Sequence, residues 1–257
     1  WDGPWLQMPP RNVVPKPFQR PHPPLWVACT QRETIRLAAA KGLGALSFGF
    51  VEPGEAEEWV GEYYKIIGSD ACVPAGFSVN ANIACALPFM CHEDEEEAIN
   101  RGLDGAHFFG YSLGHFYGFG NHQPGVTDIH EQFLANRTAF GFDRETAAQV
   151  GVGLRARMKK EVDGVAEGVA SLRGAIGTPD QIRDLLLDYE AAGVDQVIFI
   201  SQAGHNRHEH ICESIELFAR EVMPEFAERD PAHVAAKETR LADSVSAALA
   251  RRDPPRT

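Results

Sequence analysis

The chain alternates between short apolar runs and amphipathic stretches, a pattern typical of strands and helices in an α/β protein. Leu25–Cys29 and Leu43–Phe50 are two apolar runs, and a stretch with helical periodicity follows each of them. In the second stretch, Glu55–Ile67, large apolar side chains recur every three or four residues. Thr30 and Glu33 match a capping box at the start of the first stretch. The pattern predicts two consecutive strand–helix units with short buried strands.

Two further strands are predicted downstream. Ser78–Leu87 is a less regular strand candidate, and a helix with an acidic first turn follows it at residues 93–100. Val194–Ile200 is nearly all apolar and lies between two predicted helices, the first of which opens on a capping box of Thr178 and Gln181. An apolar strand flanked by helices is typical of a parallel sheet buried on both faces. The predicted fold class is α/β.

The segments outside these units have their own composition. Residues 1–24 are rich in proline and aromatic residues, which predicts an extended arm with at most a short hairpin. Residues 104–174 are rich in aromatic residues, glycine and histidine and then hold two helix-like stretches, Arg144–Gln149 and Leu154–Val169. This segment is predicted to be an insertion or a lid. After Pro231 the weak periodicity predicts a marginal helix and a frayed tail.

Composition narrows the class of partners. The 257 residues include 36 acidic and 24 basic side chains, a net charge of −12, with no basic stripe. This charge opposes binding to nucleic acid or to an anionic membrane surface. The apolar runs are far shorter than the roughly 20 residues of a membrane-spanning helix, so a soluble protein is expected. Five cysteines without a CxxC pair favour reduced thiols and a cytoplasmic location.

Two stretches of the sequence resemble the luciferase-like flavin monooxygenases. The first is PKPFQRPHPPLWVA at residues 15–28, followed by ET at 33–34 and AAAKG at 38–42. The second is GTPDQI at residues 177–182, AGVD at 192–195 and EVMP at 221–224. Because both occur in order and at a compatible separation, the chain is identified as a member of this family over residues 2–226.

The resemblance implies a (β/α)8 barrel of the TIM type with a helical insertion before the final units. The predicted strands then correspond to the last four βα units, which assigns residues 1–226 to the C-terminal part of the barrel, with the insertion at about 104–174. Residues 227–257 would be a C-terminal helix and tail. Eight units with an insertion need about 250 residues or more. The first half of the barrel, and with it much of the flavin ring pocket, is therefore expected to be missing.

The resemblance also implies an activity. Members use reduced FMN, supplied by a separate flavin reductase, to activate O2 and oxygenate a small apolar organic substrate. Some relatives instead use the deazaflavin F420 for hydride transfer, and this alternative stays open. A third possibility is a non-catalytic half barrel. Because open parallel strand edges are seldom left unpaired, such a half barrel is expected to self-associate as a dimer or larger homo-oligomer.

The turn after the first predicted strand is the main candidate binding site. Helix-start N–H groups, the hydroxyls of Thr30 and Thr34, and the charge of Arg32 could together hold a phosphate group. The resemblance carries the FMN phosphate site onto Ala28, Cys29, Thr30 and Thr34. The alternative is that Thr30 only caps a helix.

A second candidate site is the loop at residues 201–207. Gly204 permits close backbone approach to a cofactor, and His205 or Arg207 could contact flavin or substrate, although a solvated loop fits the same residues. His107 and His115 are the candidates for a catalytic acid or base. The aromatic insertion around these two histidines could cover the substrate or could simply pack against the barrel. The histidines at 205–210 lack an HExxH pattern, so no metal site is predicted.

Overall fold

Five strands and seven helices follow one another in the part of the chain that the structure describes. The structure is a computed structural model, and it describes residues 2–12, 14–48, 53–140, 142 and 173–252. The strands are β1 (Trp26–Cys29), β2 (Gly44–Phe48), β3 (Ile83–Cys91), β4 (Ala175–Gly177) and β5 (Gln196–Ile200). The helices are α1 (Arg32–Ala40), α2 (Pro53–Ile67), α3 (Glu95–Gly114), α4 (Ile129–Asn136), α5 (Pro179–Ala191), α6 (His208–Glu221) and α7 (Met223–Ala250). The predicted α/β class is confirmed.

All strand pairs of the sheet are parallel. β1 pairs with β2 and β2 with β3, while β3 pairs through residues 84–88 with β5 and through residues 89–91 with β4. Among the described strands, β1, β4 and β5 each have one neighbour, so each leaves one edge unpaired. Because parallel strands end at the same edge, the loops that follow them gather at the carboxyl-terminal edge of the sheet, as in a TIM-type barrel.

The two predicted capping boxes behave differently. At α5, the Thr178 hydroxyl accepts from the Gln181 N–H, and the Gln181 side chain accepts from the Thr178 N–H at 3.0 Å, as predicted. At α1 the predicted box is wrong. The helix begins one residue later, its N-cap is Gln31, and the Gln31 side chain makes no capping hydrogen bond. Glu33 therefore falls one position short of the place that a capping box requires.

Glycine ends α1 as predicted. Gly42 has φ +63°, and its N–H donates to the Ala39 carbonyl at 3.1 Å. The Leu43 N–H donates to the Ala38 carbonyl at 2.9 Å, which completes the usual pair of bonds at a glycine-terminated helix. This tight end brings the chain directly into β2.

Helices cover the two faces of the sheet unequally. Phe89 and Cys91 of β3 pack in one cluster with Leu186 of α5 and Leu217 of α6. Met90, between them on the strand, packs instead with residues of α3. Since side chains alternate along a strand, α3 covers the opposite face from α5 and α6. It does so near the carboxyl-terminal end, where β4 pairs with β3.

The helix after β3 is longer than predicted. The acidic start is confirmed, because the Asp94 carboxylate caps α3 by accepting from the Glu97 N–H at 2.8 Å. The helix does not stop near Asn100 but runs through the aromatic segment to Gly114 and continues as a π-helical turn at His115–Phe119. The regular rhythm therefore does not break at residue 104. The predicted helices Arg144–Gln149 and Leu154–Val169 lie outside the described residues.

The second face is open at β5 and β1, the two ends of the sheet. Ile198 in the middle of β5 is 44% exposed, whereas its neighbours Val197 and Phe199 pack against the first-face cluster. Trp26 at the start of β1 is 37% exposed. The expectation that these strands are buried on both faces is therefore wrong, because no described element covers this part of the second face.

The chain ends are partly as predicted. Residues 2–7 form a short hairpin-like turn, with an antiparallel bridge between Asp2 and Gln7, within an exposed arm. The helix predicted after Pro231 is confirmed, but it is not marginal, since α7 runs through this proline and is 28 residues long in all. Leu241 and Ala248 of α7 are buried against α1 and α2, and this packing outweighs the weak local periodicity. None of the described helices has the length and apolar composition required to cross a bilayer.

Candidate functional site

The carboxyl-terminal edge of the sheet brings the two predicted binding segments to one side of the molecule. The turn at residues 28–34 follows β1, and the loop at residues 201–207 follows β5. Three strand spacings separate β1 from β5, which corresponds to about 14 Å along the sheet. A ligand of roughly that length is needed to contact both segments at once. At the end of β2, Ser47 is buried, and residues 49–50 lie outside the described chain.

The start of α1 is suited to an anion. Gln31 has extended dihedral angles and leaves the helix start without a side-chain cap. Thr30 is exposed, and Thr34 in the first turn is half-buried. Uncapped first-turn N–H groups carry the positive end of the helix dipole and attract phosphate or carboxylate groups. Because the predicted capping box is not formed, the anion site at the start of α1 is more open than the sequence suggested.

Ala28 and Cys29 face opposite sides of the sheet at this turn. Ala28 is exposed, whereas the Cys29 side chain is buried among residues of α1 and α2. The Cys29 thiol lies 3.4 Å from the Val27 carbonyl, to which it donates, and burial raises its pKa to about 11. The thiol is therefore neutral and points away from the turn. Only the backbone of Cys29 is placed to contact a ligand.

The charge of Arg32 is already balanced within the protein. Its Nη2 donates to Glu58 Oε2 at 2.7 Å, and its Nε lies 3.7 Å from Glu62 Oε2. Both carboxylates belong to α2. Arg32 thus ties the start of α1 to α2, and the backbone amides and hydroxyls are left as the main groups for an anion.

The loop after β5 rests directly on α3. Gly204 has φ +57°, a conformation that favours glycine, and a Cβ at this position would lie 3.2 Å from the Gly105 Cα. A Cβ on Gly105 would lie 2.6 Å from the Ala203 carbonyl oxygen and 2.4 Å from Asn206 Oδ1. Packing against α3 accounts for the glycine at 204. Its contact with a cofactor stays a prediction.

Further contacts hold the same loop. The His205 ring lies over the His130 ring of α4, with centroids 4.1 Å apart and planes inclined by 33°. Asn206 Nδ2 donates to the Ser201 carbonyl at 2.9 Å. Arg207 pairs with Glu209 at 3.5 Å. The insertion therefore supports one wall of the candidate site.

The histidines after β5 do not converge. His208 Nε2 lies 3.6 Å from the Cys212 sulfur, and Glu213 pairs with Arg101 of α3 at 2.6 Å. Within the described ranges, no three histidine, cysteine or acidic side chains are grouped as ligands for a metal ion.

The aromatic residues of the insertion pack mainly on each other. Tyr111, Phe133 and Phe142 are buried in one cluster, and the rings of Phe119 and Phe140 stack at 4.9 Å beside it. This supports the packing interpretation of the segment. Its role as a cover over substrate stays a prediction.

Both candidate histidines are buried within this segment. His107 lies in α3 with its ring 5.2 Å from the ring of Phe142. His115 opens the π-helical turn and is 2% exposed. Neither residue is part of the turn after β1 or of the loop after β5, and their catalytic role is untested.

Sequence reasoning missed the contact between α3 and the barrel edge. Gly102 and Gly105 lie three residues apart, on one face of the helix, and a Cβ on Gly102 would lie 2.5 Å from the Met90 Cβ. Two glycines at this spacing were the available signal, because glycine is unfavourable in a helix unless close packing requires it. A second missed contact is buried Arg173, which donates to the Ile176 carbonyl at 2.9 Å and pairs with Glu95 at the start of α3.

The parallel strand–helix units, their common carboxyl-terminal edge and the open helix start there define a TIM-type α/β protein with a helical insertion. The family model described as luciferase-like monooxygenase matches residues 1–196 of the sequence. The chain belongs to this family, and the resemblance seen in the sequence is confirmed. No curated protein matches the chain.

The chain also matches solved structures, of which the first shows a similar fold. Monooxygenase RslO1 from Streptomyces bottropensis aligns with 88% of this chain and 55% of its own, at 19% identity and a TM-score of 0.55. The oxygenating constituent of 3,6-diketocamphane monooxygenase from Pseudomonas putida, in complex with FMN, aligns at 18% identity over 79% of this chain and 49% of its own, with a TM-score of 0.46. The chain spans about half the length of the solved structures it matches.

Proposed function

We propose that this chain is the C-terminal part of a flavin-dependent monooxygenase that oxidises a small apolar organic substrate with O2 and reduced FMN. The observation that carries the proposal is the uncapped start of α1 at the carboxyl-terminal edge of the sheet. Family membership supports the reaction class. The sequence predicted four βα units, but the structure has five strands in the part of the chain that it describes, because Ala175–Gly177 forms a strand that was not predicted. In this proposal residues 1–226 therefore supply the last five βα units with the insertion at 104–174, and α7 closes the opposite edge of the sheet.

The turn after β1 holds the FMN phosphate in this proposal. First-turn N–H groups of α1 and the hydroxyls of Thr30 and Thr34 donate to the phosphate oxygens, and the backbone of Ala28 and Cys29 lines the approach. The loop around Gly204 follows β5 and lies at the other end of the carboxyl-terminal edge of the sheet from the turn after β1. Bound reduced flavin supplies the reaction with O2. The insertion keeps water out of the site by placing aromatic rings beside that loop.

Activity in this proposal requires the other barrel half. The unpaired edges of β1 and β5 and the exposed side chains of Trp26 and Ile198 support this requirement, because a closed barrel would pair those edges and bury that face. The same open surfaces favour a second candidate, a non-catalytic half barrel that self-associates. Homo-oligomer formation belongs to this second candidate, in which the edges and the open face find no other partner.

The proposal also includes a partner enzyme, a cellular compartment and an alternative cofactor. A separate flavin reductase would supply the reduced FMN. The five cysteines are free, which supports a reducing compartment such as the cytoplasm. F420 stays the alternative cofactor, because a phosphate-binding helix start serves both molecules.

The test compares FMN with riboflavin, which lacks the phosphate, by fluorescence titration of the full chain. We expect FMN to bind more tightly than riboflavin. The double variant Thr30→Ala and Thr34→Ala should weaken FMN binding by about tenfold, because two hydrogen bonds are lost. Riboflavin binding should stay the same. Thr239→Ala is the matched control, since its hydroxyl only donates to the Ala235 carbonyl on exposed α7.

Equal binding of FMN and riboflavin would contradict the phosphate site. Tighter binding of F420 than of FMN would select the deazaflavin alternative. Dimerisation that depends on concentration, with no uptake of either cofactor, would favour the non-catalytic half barrel.

A further inference from the structure

His208 and Cys212 form a pair of metal-ligating side chains on the outer side of α6. His208 is the first residue of the helix and Cys212 follows four residues later, so both side chains project from the same face. The Cys212 sulfur lies 3.6 Å from His208 Nε2. Ser214 and Leu217 are on the buried side of the helix, whereas His208 is exposed and Cys212 is partly exposed. The pair therefore lies at the surface of the protein.

The separation of these two atoms matches that of two ligands on one tetrahedral zinc ion. Zinc binds a cysteine thiolate at about 2.3 Å and a histidine nitrogen at about 2.0–2.1 Å. A tetrahedral angle between the two bonds places sulfur and nitrogen about 3.5–3.6 Å apart. The observed distance is 3.6 Å. Two zinc ligands four residues apart on one helix face also occur in the HExxH motif. The helix thus holds both ligand atoms at the separation that one zinc ion requires.

The charges around the pair favour a cation. The whole chain carries a net charge of −12. Glu216 lies four residues after Cys212 and adds a negative charge on the same face of α6. Arg207, which precedes His208, pairs with Glu209 at 3.5 Å, so its positive charge is balanced. A divalent cation at this surface is therefore attracted by the protein as a whole and by its local surroundings.

We propose that His208 and Cys212 bind one Zn²⁺ ion at the start of α6. On binding, the Cys212 thiol releases its proton to solvent and its sulfur bonds to the metal, while neutral His208 donates the lone pair of Nε2. No electron is transferred, and water fills the remaining coordination positions. A thiolate and an imidazole select zinc over Mg²⁺ and Ca²⁺, which prefer oxygen ligands. The site is separate from the turn after β1 and does not depend on flavin chemistry.

The test titrates the full chain, without a histidine tag, with Co²⁺ as a spectroscopic substitute for Zn²⁺. We expect a near-ultraviolet band from charge transfer between the Cys212 thiolate and cobalt, and its loss when Zn²⁺ displaces Co²⁺. Cys212→Ala should abolish the band. His208→Gln should weaken metal binding by at least about tenfold, because even residues that only hydrogen-bond to a metal ligand contribute that much. His210→Gln is the matched control and should bind as wild type does, since His210 points to a different side of α6.

A second measurement follows the thiol itself in the wild-type chain. Four of the five cysteines are buried, so Cys212 is the thiol that iodoacetamide reaches in the folded protein. Zn²⁺ should slow its alkylation, and His208→Gln should need at least about tenfold more Zn²⁺ for the same protection. Equal Zn²⁺ affinities of wild type and His208→Gln, or no charge-transfer band with Co²⁺ in large excess, would overturn the proposal. The pair would then be a hydrogen bond only. Flavin is absent throughout, so the result is independent of FMN binding.

Discussion

At the scale of single residues, Asp195 shows how one side chain joins three elements. Its Oδ2 accepts from the Tyr64 hydroxyl at 2.6 Å and from the Ile83 N–H at 2.7 Å, and its Oδ1 pairs with Lys237 at 2.8 Å. These partners belong to α2, β3 and α7. Burial, together with the charge of Asp195, raises the pKa of the Tyr64 hydroxyl, which therefore remains a donor. The sequence marked Asp195 only as part of a family motif, because its partners lie 42–131 residues away.

We expect Asp195→Asn to lower the free energy of unfolding by about 2–4 kcal/mol, since the amide leaves Lys237 without its charge partner and cannot accept all three bonds. Urea denaturation measures the change. Asp184→Asn, on the exposed face of α5, is the control and should stay within about 0.5 kcal/mol of wild type. A loss below about 1 kcal/mol for Asp195→Asn would show that the network contributes little.

At the scale of elements, local signals predicted most helices but not all of their boundaries. Both Thr178 and Thr30 begin a Thr-x-x-Gln/Glu pattern, yet only Thr178 caps a helix. Pro179 fixes the first helical position of α5, and α1 has no such residue to set its start. The extent of α3 and its place on the second face depend on contacts with Met90 and the loop after β5, which no local pattern contains. The candidate turn was thus predictable in position, whereas its uncapped state was not.

The close packing of α3 through Gly105 leads to a prediction about stability. Gly105→Ala should lower the free energy of unfolding by about 1–3 kcal/mol, because the added Cβ overlaps the Ala203 carbonyl and the Asn206 side chain. Gly61→Ala in α2 is the matched control. It meets no atom within 4 Å and should raise stability by about 0.5–1 kcal/mol through helix propensity. Thermal or urea unfolding measures the stability change of each variant. An increase in stability for both would contradict the close contact between α3 and the loop after β5.

At the scale of the whole molecule, the interior holds several buried thiol groups, which are neutral. Burial raises the pKa of Cys29 to about 11 and that of Cys85 and Cys91 to about 12. The folded chain therefore keeps protons that the unfolded chain releases above its ordinary thiol pKa of about 8.5. Stability is fully present below that pH and falls as the pH rises toward about 11–12.

We expect the urea midpoint at pH 10 to lie well below that at pH 8, with each buried thiol contributing at most about 1.4 kcal/mol per pH unit. Cys85→Ala should make this decline shallower, whereas Cys212→Ser, at a partly exposed position on α6, should leave its slope unchanged. A midpoint that is constant between pH 8 and pH 10 would contradict the prediction.

The long helix α7 affects the order in which parts of the protein can fold during synthesis. Lys237 reaches Asn82, which lies 155 residues earlier, and Arg251 donates to the carbonyl of Cys72, which lies 179 residues earlier. The ribosome therefore finishes α1, α2 and β3 long before the helix that covers them has been translated. Until α7 emerges, the amino-terminal edge of the sheet stays open to chaperones and proteases, so this edge is consolidated only after α7 has been synthesised.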